Sequence, residues 1–380
     1  MRILFLCSGL EPGRDGVGDY TRSLAAECVR QGHECRIVSL NDNASGEEPG
    51  CLRCAASLPW ARRVEQARQS VAEFDPDWIS LQFVPYGFHR KGIPWRLAHA
   101  LKPVVAGRPL QIMFHELWIG SAEGASFKHR LVGAVQRRCI LRMLRVLAPR
   151  VVHTSNATYI GLLKKAGIEA APLPLFGNIP VVEKTVDFPS QLAVAGIDPT
   201  ERGNWWLGLF FGTLHPEWEP QPLLGILLAA AKRANRRVGL LAVGRLGAAG
   251  EAIWERMMRD YGDEITFSKF GGQSAERISE LLQIADFGIA ASPWNLIGKS
   301  GSAAAMLDHG LPVIVTRKEE IAGVHFIPDP LLYRCDEMLE SRLVSGLPKR
   351  APESRVVPIA ALFSKSLQQA AHERAQSPRA

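Results

Sequence analysis

No stretch of the chain reaches 18 uninterrupted apolar residues, so no membrane span is predicted. The opening MRILFLCSGLEPG is not a secretory signal either, because its apolar run is short and ends in a glycine turn without a small-residue cleavage pattern. Cysteine is sparse and irregular: Cys7, Cys28, Cys35, Cys51, Cys54, Cys139 and Cys335 are odd in number and follow no framework spacing, which excludes a disulfide-stapled fold. Cys51-Leu-Arg-Cys54 is a lone CxxC with no second pair and no nearby histidine, and reads as reduced thiols in a cytoplasmic protein, not as a zinc site. The chain also lacks finger-type Cys/His spacing and any aromatic-plus-glycine RNA signature, and its net charge of +7 is modest. Nucleic acid is therefore not an expected partner, while an anionic ligand or an acidic membrane surface is allowed. Metal independence is expected. No GxxxxGK[ST] motif occurs, which removes the P-loop NTPases.

What is present is a chain of 380 residues, long enough for two domains, with the 47% hydrophobic content of a globular protein. Short apolar runs alternate with longer amphipathic segments, the trace of βαβ units and parallel sheets. Strands are predicted at 2–7, 34–39, 78–83, 111–114 and 151–154, with helices at 17–31 and 127–147 among them. The proline-rich stretch 172–188 reads as a linker. The rhythm restarts with strands at 206–211, 238–243, 265–267, 287–290 and 312–316, and helices at 222–235, 248–261, 275–284 and 300–309. The expected organisation is residues 1–180 and 200–350 as two α/β domains of five or six parallel strands each, with 351–380 a helical segment packing back on them. Ligands of open α/β sheets bind beyond the carboxyl ends of the strands, so a cleft between the domains is the expected site.

Four constellations fall at such strand ends. Gly298-Lys-Ser-Gly-Ser302 follows an apolar strand and opens an Ala-rich helix. The amides of Ser300, Gly301 and Ser302, with the Lys299 charge, suit a phosphate or diphosphate, although Ser at a helix start is also an ordinary cap. Pro12–Asp19 places Gly16, Val17 and Gly18 at a second helix start, with Asp15 and Asp19 beside them. The loop is too long for the tight dinucleotide turn, even with Asp42 after the second strand as a ribose acid. His115 and Glu116 end a third strand, positioned to bond a sugar hydroxyl or move a proton. Gly212–Thr213 and Gly244–Arg245 follow two strands of the second half, Arg245 being a natural second cation for a diphosphate.

In order and spacing these pieces resemble the nucleotide-sugar glycosyltransferases of GT-B fold, in the family-4-like group. The resemblance is carried by "DGVGDYTRSLAAECVRQGHECRIVSL", "VHTSNATYIGLLKKAGI", "PLFGNIP", "FFGTLHPEW", "LLAVGRLG", "FGGQSAERISELLQIADFGIAASP" and "AAAMLDHGLPVIVTR", over most of residues 1–320. It implies two Rossmann-like doubly wound parallel-sheet domains facing an inter-domain cleft. The donor diphosphate would lie on the helix after "ADFGIAASP" and the nucleobase near Lys269, Phe270 and Gly271. The glycine loop at Gly16 would touch the donor, and His115 matches a family histidine close to the transferred sugar. The nucleotide sugar enters as co-substrate, no other cofactor is implied, and the acceptor is a sugar or a lipid-linked molecule bound mainly by the first domain. The family's Glu-x7-Glu carboxylates are replaced by Ile297 and Ala305, and the usual Arg/Lys pair after the first strand of the second domain by Thr213 and the segment near Glu217. That loss leaves open a non-catalytic scaffold of the same fold, and stereochemistry unassigned. An inverting course would draw its base from His115, Glu116, Asp15 or Asp19.

From Gly124 to Ile168 there is no acidic residue, while Lys128, Arg130, Arg137, Arg138, Arg142 and Arg145 share one predicted helix. Val132, Cys139, Ile140, Met143 and Leu147 form its apolar stripe, with the cations opposite. The helix is either a sheet-covering element with a solvated basic face or a peripheral docking face for anionic lipid.

Overall fold

Strands buried on both faces must be apolar almost throughout, and most of the central strands of this protein follow that rule. The structure, a computed structural model, describes all residues except Arg14, Glu123, 183–187, 319–326 and 377–380. The first half contains β1 (Arg2–Cys7), β2 (Glu34–Asp42), β3 (Gly46–Glu48), β4 (Cys51–Ala55), β5 (Trp78–Phe83), β6 (Leu110–Phe114), β7 (Val151–Thr154) and β8 (Ala171–Pro172). They form one sheet in the order β3-β4-β2-β1-β5-β6-β7-β8. Every neighbour pair is parallel except β3 with β4. The second half contains β9 (Trp205–Phe211), β10 (Arg237–Val243), β11 (Ile265–Gly271), β12 (Phe287–Pro293), β13 (Val313–Arg317) and β14 (Leu332–Arg334). Its sheet is parallel throughout, in the order β11-β10-β9-β12-β13-β14.

The chain divides into two compact units. The first joins Met1–Asn178 to the C-terminal helix Val356–Gln376, and the second comprises most of Ile179–Arg355. In the first unit Ile359, Ala360, Phe363 and Leu367 of that helix share a core with Ile3, Phe5, Leu24 and Cys28. Phe363 stacks on Phe5 at 5.8 Å between centroids. Burying a side chain of this size contributes roughly 1.5–3 kcal/mol, enough to tie the chain's last helix to its first strand.

The eight strands of the first sheet exceed the five or six expected, because β3, β4 and β8 were not foreseen. The stretch 172–188 is not a linker throughout: Leu173 and Phe176 are fully buried in the first core, Phe176 stacked on Tyr20 at 4.5 Å. Residues 183–187 of that stretch lie outside the described residues. Helix Phe127–Leu147 runs as expected and buries Cys139, Ile140, Met143, Leu144 and Leu147. Among the described residues no helix is long and apolar enough to cross a membrane.

Candidate functional site

In the second unit the strands run in the order third, second, first, fourth, fifth, sixth, so the winding reverses between β9 and β12. Ligands of such sheets sit beyond the strand ends at that reversal. There β9, β10 and β11 run into glycines with positive φ: Gly212 (84°), Gly244 (86°) and Gly271 (65°). Gly212 N–H donates to the Val243 carbonyl at 2.9 Å, and Gly244 N–H to the Gly271 carbonyl at 2.7 Å. A Cβ on Gly244 would stand 3.3 Å from the Gly212 nitrogen, so both the backbone angle and the space call for glycine. The result is a low backbone ledge, with Thr213 and Arg245 exposed just past it.

Beyond β12 the sequence suggested a simple loop. The structure has a 3-10 turn, Trp294–Lys299, leading into helix Gly301–Asp308. This corrects the role given to Ser300. Its N–H donates to the Ile297 carbonyl at 2.9 Å, and its hydroxyl caps the helix by accepting from Ala303 N–H at 3.3 Å while touching the Ser302 hydroxyl at 3.1 Å. Of the three amides proposed as anion donors, Gly301 and Ser302 are the first-turn pair that lack intrahelical acceptors. Lys299 is half-buried beside them.

Lys269 is exposed and ion-paired with Glu251 at 2.6 Å. Phe270 packs against the core and its carbonyl accepts from the Gln273 side chain at 2.6 Å. Ile297 and Ala305, where the resembled family carries carboxylates, are 4% and 0% exposed within an apolar core. Two cations were missed. Arg317 ends β13 with its side chain only 13% exposed and 3.5 Å from Glu217. Arg334 ends β14 and lies over the Trp294 ring at 4.6 Å. The signal was available: each is a lone arginine closing an apolar strand at the carboxyl edge.

The first unit's edge has different chemistry. Asp15 is the N-cap of helix Gly16–Arg30 and accepts from Val17 N–H at 3.0 Å and Gly18 N–H at 2.9 Å. Val17 and Gly18 are therefore not phosphate donors here, because a carboxylate occupies their amides. Gly18 is explained by packing instead, since a Cβ would meet the Gly9 carbonyl at 2.5 Å. Gly16 is exposed at the helix start. Asp19 accepts from Gly13 N–H at 3.1 Å. Burial raises the pKa of both aspartates, partly offset by these amides. Asp42, the ribose-acid candidate, is saturated by Leu10 N–H, the Ser39 hydroxyl and Arg53, which removes the dinucleotide reading.

His115 follows β6, its N–H bonded to the Phe83 carbonyl and its ring set edge-on to Tyr20 at 4.9 Å. It is 7% exposed, and burial pushes its pKa down to about 3. At neutral pH it is an uncharged imidazole and a weak base, so the proton-moving role gives way to a hydrogen-bonding one. Its Nε2 meets the Gln82 Oε1 at 2.9 Å. Glu116 is half-buried next to it. Among the described residues no group of three or more His, Cys, Asp or Glu side chains is placed to hold a metal ion.

No protein-family model matches the chain, and no curated protein matches it in sequence. Solved structures do match over nearly its whole length. Anabaena HepE, in a complex with UDP and glucose, aligns with TM-score 0.58 and 14% identity, covering 97% of this chain and all of that one. WaaG, a glycosyltransferase of lipopolysaccharide biosynthesis, aligns with TM-score 0.56 and 15% identity over 99% of this chain and 95% of that one. The trehalose 6-phosphate synthase of Burkholderia multivorans gives TM-score 0.57 and 11% identity over 98% and 99%. The fold is thus that of the GT-B glycosyltransferases, two parallel-sheet units in tandem.

Proposed function

We propose that this protein is a glycosyltransferase that moves a sugar from a nucleotide-diphosphate donor to an acceptor hydroxyl, in the synthesis of a bacterial glycan or glycolipid. The observation that carries the reading is the carboxyl edge of the second sheet, where a glycine ledge at the winding reversal is bordered by Thr213, Arg245, Lys299 and Arg317. Backbone that lets a ligand approach, together with several cations, suits a diphosphate leaving group, whose developing charge needs electrostatic support more than covalent help. The first unit supplies the acceptor side. With His115 a weak base and both Asp15 and Asp19 held by amides of their own loop, Glu116 remains the candidate for a base.

A thermal-shift screen of UDP, GDP, ADP, CMP and dTDP tests the reading. The complexes of HepE with UDP and with UDP-glucose make UDP the first expectation. One nucleoside diphosphate should raise Tm, and its nucleotide sugar should be slowly hydrolysed without acceptor. Binding without hydrolysis or transfer would favour the scaffold alternative, and no binding by any of the five would overturn both.

We also propose peripheral contact with an anionic membrane through helix Phe127–Leu147. Phe127 and Leu131 are 82% and 59% exposed at its start, among the exposed Lys128, Arg130, Arg137 and Arg138. Two bare apolar side chains within a cationic field fit insertion at an acidic lipid surface better than a merely solvated face.

A further inference from the structure

A row of polar side chains crosses the interior of the first sheet and is joined end to end. Ser80 and Gln82 lie two residues apart on β5 and so point to one face. Gln111 of β6 stands opposite Ser80 in register, and His153 of β7 is two residues beyond Val151, the register partner of Gln111. Five contacts link the row. His115 Nε2 meets Gln82 Oε1 at 2.9 Å, Gln82 Nε2 donates to Ser80 Oγ at 2.7 Å, and Ser80 Oγ donates to Gln111 Oε1 at 2.6 Å. Gln111 Nε2 then meets His153 Nδ1 at 3.2 Å, and His153 Nε2 meets Ser366 Oγ at 3.0 Å. All but Ser366 are buried, and Ser366 lies on the rim of a surface cleft of about 740 Å³.

With the Gln82 and Gln111 amides oriented as they are, proton counting gives this row one direction. Ser80 has a single hydrogen, given to Gln111, so it accepts from the Gln82 amide. The Gln82 carbonyl oxygen is thereby left facing His115, which must donate from Nε2. At the far end the Gln111 amide faces His153 Nδ1, which must accept, so His153 also carries its hydrogen on Nε2. Each group accepts from one side and donates to the other, and reversing one link would require reversing all of them. Burial keeps both imidazoles neutral, with pKa values lowered to about 3 and about 4.

We propose that Gln82 is a positioning residue that locks His115 as its Nε2–H tautomer, leaving the Nδ1 lone pair to accept a hydrogen from a sugar hydroxyl. The role rests on the reading of His115 as a sugar contact, and it makes His115 a reader of a hydroxyl group. Tyr20, held between Phe176 and the His115 ring, fixes the ring plane.

The test begins on the unliganded full chain with 15N-labelled histidine, using long-range 1H–15N spectra of the imidazoles at neutral pH. His115→Asn and His153→Asn supply the assignments. Both rings should show a protonated Nε2 and a bare Nδ1. A hydrogen on Nδ1 of His115, or opposite tautomers in the two rings, overturns the inference whatever nucleotides bind. Nε2–H tautomers in a chain that binds no nucleotide sugar would instead sink the transferase reading while upholding the lock.

Function is tested with Gln82→Leu and Gln82→Glu. The leucine removes the acceptor and should scramble the His115 tautomer. Affinity for the nucleotide sugar should then fall by about five- to tenfold while that for the nucleoside diphosphate is unchanged. A neutral glutamic acid offers the same carbonyl acceptor and an O–H donor, so Gln82→Glu should restore both tautomer and affinity. Equal weakening of nucleotide and nucleotide sugar in Gln82→Leu, with no recovery in Gln82→Glu, would reduce Gln82 to a structural residue.

Discussion

At the carboxyl edge of the first sheet, the loop after β1 turns Asp15 and Asp19 back onto its own amides, and a buried neutral His115 stands nearby. At the same edge of the second sheet, the positive-φ glycines after β9 and β10 have their N–H groups bonded to the Val243 and Gly271 carbonyls, Gly301 and Ser302 offer the first-turn amides of a helix, and the flanking charges are Arg245, Lys299 and Arg317. Both edges follow from one strand–turn–helix plan. They teach that a glycine-containing turn at a helix start is not by itself an anion site. Which group reaches the orphan amides first decides the matter, and in the first unit it is a side chain from the same loop.

The largest expected effect comes with falling pH. His115 and His153 ionise near pH 6.5 when unfolded and near 3 and 4 when folded, so below pH 6.5 the unfolded chain binds more protons and stability falls. Each histidine should contribute up to about 1.4 kcal/mol of loss per pH unit, seen as a declining denaturation midpoint. A profile between pH 6.5 and 4 that His115→Asn with His153→Asn leaves unchanged would show that these imidazoles are not desolvated. Next, Lys299→Ala with Arg317→Ala should weaken nucleoside diphosphate binding by at least about 100-fold in calorimetry, since each charged hydrogen bond is worth roughly 1.5–3 kcal/mol. Unchanged affinity would remove the second unit's claim to the diphosphate. Asp15→Ala should cost about 1 kcal/mol of stability through the lost cap, with nucleotide affinity intact. If affinity rises, the freed amides do reach the donor and the contrast between the edges dissolves. The smallest effect concerns the exposed helix: Phe127→Ser with Leu131→Ser should lower sedimentation with phosphatidylglycerol vesicles by about threefold, leaving stability unchanged. Equal sedimentation with neutral vesicles would argue against an anionic docking face.

Much of the architecture was legible in the chain. Most predicted strands lie within a few residues of those formed, and helix 127–147 has its predicted bounds, because strands buried on both faces and helices buried on one leave strong periodic marks. What escaped has a weak mark. Strand β3 is Gly46-Glu-Glu48, polar and fully exposed, and exists only through its pairing with β4. Ser80, Gln82 and Gln111 were overlooked because a polar residue in an apolar run looks like noise. Their signal was nevertheless real, since a strand covered on both faces has no cheap place for an amide.

The sequence by itself determined two parallel α/β units and the residues standing at their strand ends, because hydrophobic period and the rule of strand carboxyl ends are properties of the linear pattern. Only the tertiary structure decided which amides are already occupied, why His115 is neutral and which way its hydrogen points. Those depend on groups distant in the chain, such as Gln82, His153 and Ser366, and hydrogen bonds between buried polar atoms form only once strands and helix have packed together.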